Sequence, residues 1–190
     1  MRIIAGSSRG RKLFAPEGED TRPTADRIRE SVFQILSTRL EGAAVLDLFA
    51  GSGALALEAL SRGAAYAVIN DVSRKSVDAI GRNVEAVGVR DRVRVLALDY
   101  RKAIATLDMC FSLVFIDPPY RMVDCYAEAA EALLNRALLT EGAVIVMERA
   151  KTVKLCPPRG FRTADERIYG DTAVSFWELE EYDRTLSRQL

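Results

Sequence analysis

Short apolar runs alternate with helical patterns along most of the chain, and this alternation constrains the fold more than any other feature. Between the runs, apolar residues recur at helical spacing, as in the segment that ends at Gly88. Strands that are apolar throughout are typical of parallel sheets buried on both faces. The sequence therefore predicts an α/β fold with helices on both sides of a mostly parallel sheet. The runs of strand length lie at 44–48, 66–70, 92–97, 111–116 and 142–147.

A helix is predicted before the first of these runs. Apolar residues recur at helical spacing over 28–40, and Thr24 is positioned to act as the N-cap. In such a helix the apolar face packs against the sheet, and the arginines of the opposite face stay free. These arginines are Arg22, Arg27 and Arg29.

The end of the chain completes the predicted domain. Residues 161–169 and 173–179 flank a Gly-Asp pair and predict a β-hairpin. A chain of 190 residues is most simply one domain. We therefore predict a single domain over 1–190, made of a basic arm at 1–23 and an α/β core at 24–190.

The arm carries positive charge in a chain whose net charge is zero. Its first twelve residues include Arg2, Arg9, Arg11 and Lys12 and no acidic residue. Basic side chains contact phosphates and position a nucleic acid without sequence information. Arg9, Arg11 and Lys12 are the predicted phosphate contacts.

A glycine turn follows the first strand run. The run breaks at Gly51 and Gly53, and a helical pattern with Ala56 in the third position of the fingerprint follows. This strand, turn and helix resemble a dinucleotide-binding fingerprint, in which an acid about 20 residues later holds a ribose hydroxyl. Asp71 stands 20 positions after Gly51, at the end of the next run. The pattern predicts an adenosine-containing ligand, either a nicotinamide dinucleotide or S-adenosylmethionine.

Asp47 favours the second of these ligands. It lies inside the strand run, four residues before Gly51. A pyrophosphate gains nothing from a buried negative charge, whereas a ligand with an ammonium and a sulfonium group does. Because a buried unpaired carboxylate is costly, a site that contains one usually supplies a cation.

An acid, two prolines and an aromatic ring follow the run at 113–116. Ligands bind at the carboxyl ends of strands in open α/β sheets, which is where Asp117, Pro118, Pro119 and Tyr120 stand. Prolines lack a backbone N–H, so this turn presents carbonyls beside a carboxylate and a flat ring. Such a pocket of acceptors suits an NH2 group on a planar substrate.

These motifs together resemble the RsmD-type methyltransferases, which methylate guanine N2 in small-subunit ribosomal RNA. The likeness covers nearly the whole chain and includes an opening Arg-Ile-Ile-Ala-Gly and the later Tyr169 to Thr172. Departures are Ala25, Ala56 and Asp71, where relatives often carry Thr, Gly and Glu. The strings that carry the resemblance are VLDLFAGSGALALEALSRGA (45–64), IDPPY (116–120) and TRPTADRIRESVFQIL (21–36).

The resemblance implies a class I fold, Rossmann-like, with seven strands of which one is antiparallel. It also implies S-adenosylmethionine as cofactor, no metal, and small-subunit ribosomal RNA or the assembled small subunit as partner. An acid at the position of Asp99 accepts the adenine amino group in this family. The cofactor-binding set that we predict is Arg22, Thr24, Asp47, Phe49, Gly51, Ser52, Gly53, Asp71 and Asp99, and the catalytic set is Asp117, Pro118, Pro119 and Tyr120.

Composition excludes several other chemistries. The chain contains no histidine, which removes histidine bases, Ser-His-Asp triads and the usual zinc ligands. Cys110, Cys125 and Cys156 fall at no metal-ligand spacing, and their odd number favours a reducing cytoplasm. No apolar stretch approaches 18 residues. We expect a cytoplasmic monomer without membrane contact.

Three alternatives stay open at this stage. A nicotinamide-dependent oxidoreductase would share the glycine turn, and a binding module would share the fold without the chemistry. An enzyme that methylates adenine in DNA or glutamine in a protein would share the Asp-Pro-Pro-Tyr box. Only the basic arm and the family resemblance favour ribosomal RNA over these last substrates.

Overall fold

The computed structural model describes residues 1–16, 23–119 and 121–180, with the backbone alone for 23–25. Within these ranges, one sheet of seven strands is packed between two layers of helices. The strands are β1 (Ala44–Asp47), β2 (Tyr66–Asn70), β3 (Val93–Leu96), β4 (Phe111–Ile116), β5 (Leu139–Ala150), β6 (Phe161–Tyr169) and β7 (Thr172–Leu179). The helices are α1 (Pro23–Ile35), α2 (Ala54–Ser61), α3 (Arg74–Val87), α4 (Tyr100–Thr106) and α5 (Cys125–Asn135), with 3-10 turns at Ser37–Arg39 and Arg90–Arg92.

The strand order, β3-β2-β1-β4-β5-β7-β6, places the first strand inside the sheet, third from one edge. β1 pairs in parallel with β2 on one side and with β4 on the other. From β1 to β3 the strands are added toward one edge of the sheet, and from β4 onward they are added on the other side of β1. The strand order therefore reverses between β1 and β4. In open α/β sheets this reversal opens a crevice at the carboxyl ends of the strands, and ligands bind there.

The prediction of a mostly parallel α/β sheet is confirmed, and the strand that runs against the others is β7. β7 lies between β5 and β6 and runs antiparallel to both of them. The sheet therefore contains two antiparallel pairs, because the hairpin inserts its second strand next to β5 and leaves β6 at the edge.

Apolar side chains bury both faces of the sheet. On one face, residues of α1, α2 and α3 pack with Val45, Phe115 and Val146 in one cluster. On the other face, residues of α4 and α5 pack with Leu46 and Val114. Alternate positions of each strand thus serve opposite layers, which is why the strands are apolar throughout.

Two helix ends test the predicted boundaries. α3 ends at Gly88, which adopts a left-handed conformation with φ 76° as the C-cap, so this prediction is confirmed. The prediction that Thr24 caps α1 is wrong, because the helix already begins at Pro23. Proline suits the first helical turn, where its missing N–H has no helical partner to lose.

The start of the chain packs into the same core as the sheet. Arg2 and Lys12 form an isolated antiparallel bridge, and the buried Ile3 and Leu13 join the cluster that contains α1 and α2. The first sixteen residues, here called the N-terminal segment, are therefore fixed to the body of the protein. No helix in the described ranges is long and apolar enough to cross a membrane.

Candidate functional site

A cavity of about 960 Å³ opens at the carboxyl ends of the central strands, at the reversal between β1 and β4. This volume suits a cofactor-sized molecule. The loops after β1, β2, β3 and β4 all contribute to its wall, together with α1 and the end of β5. Of the predicted site residues, those lining the cavity are Phe49, Gly51, Ser52, Asp71, Asp99, Asp117, Pro118 and Pro119.

The glycine turn is held by Asp71. One carboxylate oxygen of Asp71 accepts the backbone N–H of Gly51 at 2.8 Å, and the other accepts that of Ser73 at 2.8 Å. Gly51 has φ 54°, and a Cβ placed on it would meet no protein atom within 4 Å. The turn therefore leaves open space against its backbone, as close approach by a ligand requires.

Gly53, the second glycine of the turn, stays a predicted cofactor contact. It does not line the described part of the cavity wall; its φ of 77° turns the chain into α2, and its Cα packs toward Ile80 and Ile69. It acts on the site by shaping the turn.

Asp47 lies behind the cavity wall. Its side chain is 1% exposed, and neither carboxylate oxygen has a hydrogen-bond partner among the described residues. Burial raises the pKa of this carboxyl from 3.8 to about 7. The backbone N–H of Ala56 lies near the carboxylate without the geometry of a hydrogen bond, and it offsets only part of the rise. A buried acid without a partner, just below the glycine turn, is an environment that a nearby cation would stabilise.

Asn70 is a residue that the sequence analysis missed. It is 1% exposed, and its amide donates to the carbonyls of Leu48 and Leu98 at 3.0 Å each. Its oxygen accepts the N–H of Leu98 at 3.2 Å. Asn70 thus ties the loop after β1, which contains the glycine turn, to the loop after β3. A polar residue at the end of an otherwise apolar strand was the available signal.

Asp99 caps α4 and also faces the cavity. Its carboxylate accepts the N–H of Arg101 at 3.0 Å, the usual geometry of an N-cap. Beside it, Tyr100 packs against Phe49 with ring centroids 5.3 Å apart. The cap fixes the direction of the Asp99 side chain at the cavity edge.

Asp117, Pro118 and Pro119 follow β4 and line the same cavity as the glycine turn. The carbonyl of Pro119 accepts the N–H of Met122 at 2.9 Å, which closes the turn. Within the described chain, the carbonyl of Pro118 accepts no hydrogen bond. Burial and the nearby Asp117 charge raise the pKa of Tyr126.

Arg29 is buried at the cavity, contrary to the prediction that it stays free. It is 6% exposed, and it donates to the carbonyl of Arg2 at 2.6 Å and to Asp26 at 3.1 Å. Its Nε has no partner among the described atoms. Burial lowers the pKa of the guanidinium, and Asp26 and Glu58 oppose that change. The buried face of α1 therefore includes Arg29 and is wider than the spacing of the apolar residues indicated.

The remaining predicted residues lie elsewhere. Arg9, Arg11 and Lys12 are exposed on the N-terminal segment and do not line the described part of the cavity wall. Arg22, Tyr120 and the side chain of Thr24 lie outside the described residues. Among the residues that are described, no group of three or more acidic or cysteine side chains is arranged to hold a metal.

Known proteins resemble this chain in sequence and in fold. The family model described as "Conserved hypothetical protein 95" matches residues 1–178. The chain is 34% identical over 181 residues to ribosomal RNA small subunit methyltransferase D of Escherichia coli K12, covering 95% of this chain and 90% of the relative. The chain belongs to the RsmD family of methyltransferases.

Other members of the RsmD family agree with this assignment. The Haemophilus influenzae protein named ribosomal RNA small subunit methyltransferase D is 31% identical over 182 residues, covering 94% of this chain and 93% of the relative. The solved structure of yhhF from Escherichia coli superimposes with a TM-score of 0.84 at 34% identity, covering 95% and 98% of the two chains. The seven-stranded sheet and its surrounding helices are thus the fold of this family.

Proposed function

We propose that this chain transfers a methyl group from S-adenosylmethionine to the exocyclic N2 of a guanine in small-subunit ribosomal RNA. One observation carries the proposal: the Asp117 carboxylate and the Pro118 carbonyl face the same cavity as the glycine turn. The cofactor site and the hydrogen-bond acceptors for the substrate amino group therefore share one cavity. The names of the relatives support ribosomal RNA as the substrate.

The residues present fit S-adenosylmethionine. Asp71 and Asp99 line the cavity, after β2 and β3. In this proposal Asp71 accepts the ribose hydroxyls and Asp99 accepts the adenine amino group. The open space beside Gly51 leaves room for the ligand to approach the backbone. The buried carboxylate of Asp47 favours the cationic groups of the ligand. When bound, the cofactor supplies a methyl group on a positively charged sulfur.

The difficult part of the reaction is the nucleophile, because the lone pair of guanine N2 is delocalised into the ring. In this proposal the Asp117 carboxylate and the Pro118 carbonyl each accept one amino hydrogen and hold the nitrogen in a reactive orientation. Positioning and electrostatic stabilisation of this kind require no metal. As charge develops on the nitrogen, Asp117 is also the group placed to receive its proton.

The target guanine must be unstacked from the neighbouring bases before it can enter the cavity. Tyr120, from the same box, is proposed to stack on the extruded guanine. The exposed Arg9, Arg11 and Lys12 are proposed to contact RNA phosphates, so that folded RNA or the assembled particle is recognised largely by shape.

A binding and transfer experiment tests the proposal. Calorimetric titration should show binding of S-adenosylmethionine and no binding of NAD. With labelled cofactor, the protein should label purified small subunits or their RNA and leave duplex DNA unlabelled. Tight NAD binding without any response to S-adenosylmethionine would refute the cofactor assignment, and label that enters only DNA or protein would refute the substrate.

A further inference from the structure

A second carboxylate stands beside Asp117 in the cavity wall. β4 and β5 run parallel, with Phe115 opposite Val146 and Ile116 opposite Met147. One further step along this register sets Asp117 opposite Glu148, and both residues line the cavity. Phe115 and Val146 belong to the core cluster on the α1 side of the sheet. Because side chains alternate along a strand, Glu148 projects to that side, and Asp117, the first residue after β4, lines the same cavity.

The Glu148 carboxylate stands outside the hydrogen-bond network of the described residues. It takes part in no hydrogen bond or ion pair there, although the side chain is half-buried. Burial raises the pKa of this carboxyl. The structural contact at this position is made by the backbone, since the Tyr126 hydroxyl donates to the carbonyl of Glu148 at 2.7 Å. A half-buried acid with an unused side chain, directly in the wall of a reaction pocket, is suited to a donor on the substrate.

The chemistry of guanine supplies such a donor. Its N2 amino group adjoins N1–H, so this edge of the base presents hydrogens in a row, and two acceptors side by side match it. Adenine presents a lone pair at N1, which a carboxylate repels. Two neighbouring carboxylates therefore favour the guanine edge over every common base that lacks N1–H beside an amino group.

We propose that Glu148 accepts the N1–H of the target guanine and so selects the base, while Asp117 holds its N2 amino group. This inference rests on the proposed function and adds a residue that determines specificity. Its position on the sheet strand β5 fixes the backbone that carries this carboxylate.

The test uses 2,6-diaminopurine, which keeps the N2 amino group and carries a lone pair at N1 instead of N1–H. Small subunits are reconstituted with RNA that carries guanine or diaminopurine at the nucleotide that the wild-type protein methylates. The wild-type protein should prefer guanine by roughly 100-fold or more in kcat/KM, since the analogue leaves a charged acceptor unpaired. In Glu148→Gln, the amide can donate to the N1 lone pair, and the preference should fall below about 10-fold.

Tyr126→Phe is the matched control, because it removes the backbone contact of Glu148 and keeps the carboxylate. It should retain the wild-type preference even if its rate falls. An unchanged ratio in Glu148→Gln would overturn the inference and leave the proposed function intact. Equal use of both purines by the wild-type protein would overturn it as well, without recourse to any variant. Failure to methylate guanine at all would refute the proposed function instead.

Discussion

At the scale of single residues, the site depends on acids whose surroundings differ. Asp71 is held by two backbone amides, Asp99 by a helix N-terminus, and Asp47 by no hydrogen bond among the described residues. The first two are therefore directed toward the cavity edge by the fold itself. The buried, unpaired charge of Asp47 instead carries a cost in folding free energy, and a bound cation removes this cost.

This cost predicts how stability depends on pH in the protein without cofactor. The folded-state pKa of Asp47, about 7, lies above the unfolded value of 3.8, so the folded protein holds more protons between these limits. Stability linked to this group is full below pH 3.8 and is lost as pH rises through 7. Asp47→Asn should therefore stabilise the protein at pH 8 by up to about 4 kcal/mol and by progressively less toward pH 4.

Urea unfolding at several pH values, with and without S-adenosylmethionine, measures this effect. The cofactor should stabilise Asp47→Asn less than it stabilises the wild-type protein. Asp108→Asn is the control, because Asp108 is 81% exposed and should leave the curve unchanged. If Asp47→Asn proves less stable than the wild-type protein at pH 8, the account of Asp47 is wrong.

At the scale of elements, α2 holds the N-terminal segment in place. The fully buried Glu58 accepts the N–H groups of Ile4 and Ala5 at 2.7 and 3.0 Å and the Nε–H of Arg62 at 2.7 Å. Such charge-assisted bonds are stronger than neutral ones. Because α2 also begins at the glycine turn, one helix connects the proposed RNA contacts with the cofactor side of the cavity.

Gly6 and Gly10 give a matched pair of variants for this docking. Both have φ near 82°, but a Cβ on Gly6 would lie 1.8 Å from the carbonyl oxygen of Ser61, whereas a Cβ on Gly10 would meet nothing within 4 Å. Gly10→Ala should cost about 1 kcal/mol of backbone strain. Gly6→Ala should cost substantially more, because the segment cannot dock without moving the end of α2.

Trypsin cleavage after Arg9 and Arg11 measures the docking directly. Gly6→Ala should be cut much faster than Gly10→Ala and should bind small subunits more weakly, with little change in affinity for S-adenosylmethionine. If both variants are cut at the same rate, the segment is not held by α2 in the way described here.

At the scale of the whole molecule, the sequence predicted the sheet and its helices because apolar runs report burial on both faces. The Gly51 to Asp71 spacing likewise predicted that both residues serve one ligand site, and both line the same cavity. Contacts between distant segments were not predictable in this way. Burial of Arg29, the bridging role of Asn70 and the Glu148 position opposite Asp117 depend on how the layers pack, which no local pattern encodes.

Product identity after a single turnover tests the central claim most directly. Small subunits are incubated with labelled S-adenosylmethionine and either the wild-type protein or Asp117→Ala, and the RNA is digested and analysed by mass spectrometry. The wild-type protein should yield N2-methylguanosine, and Asp117→Ala should lose at least about 100-fold in rate while cofactor affinity stays within about threefold. A methyl group on another nucleoside, or a full rate in Asp117→Ala, would contradict the account.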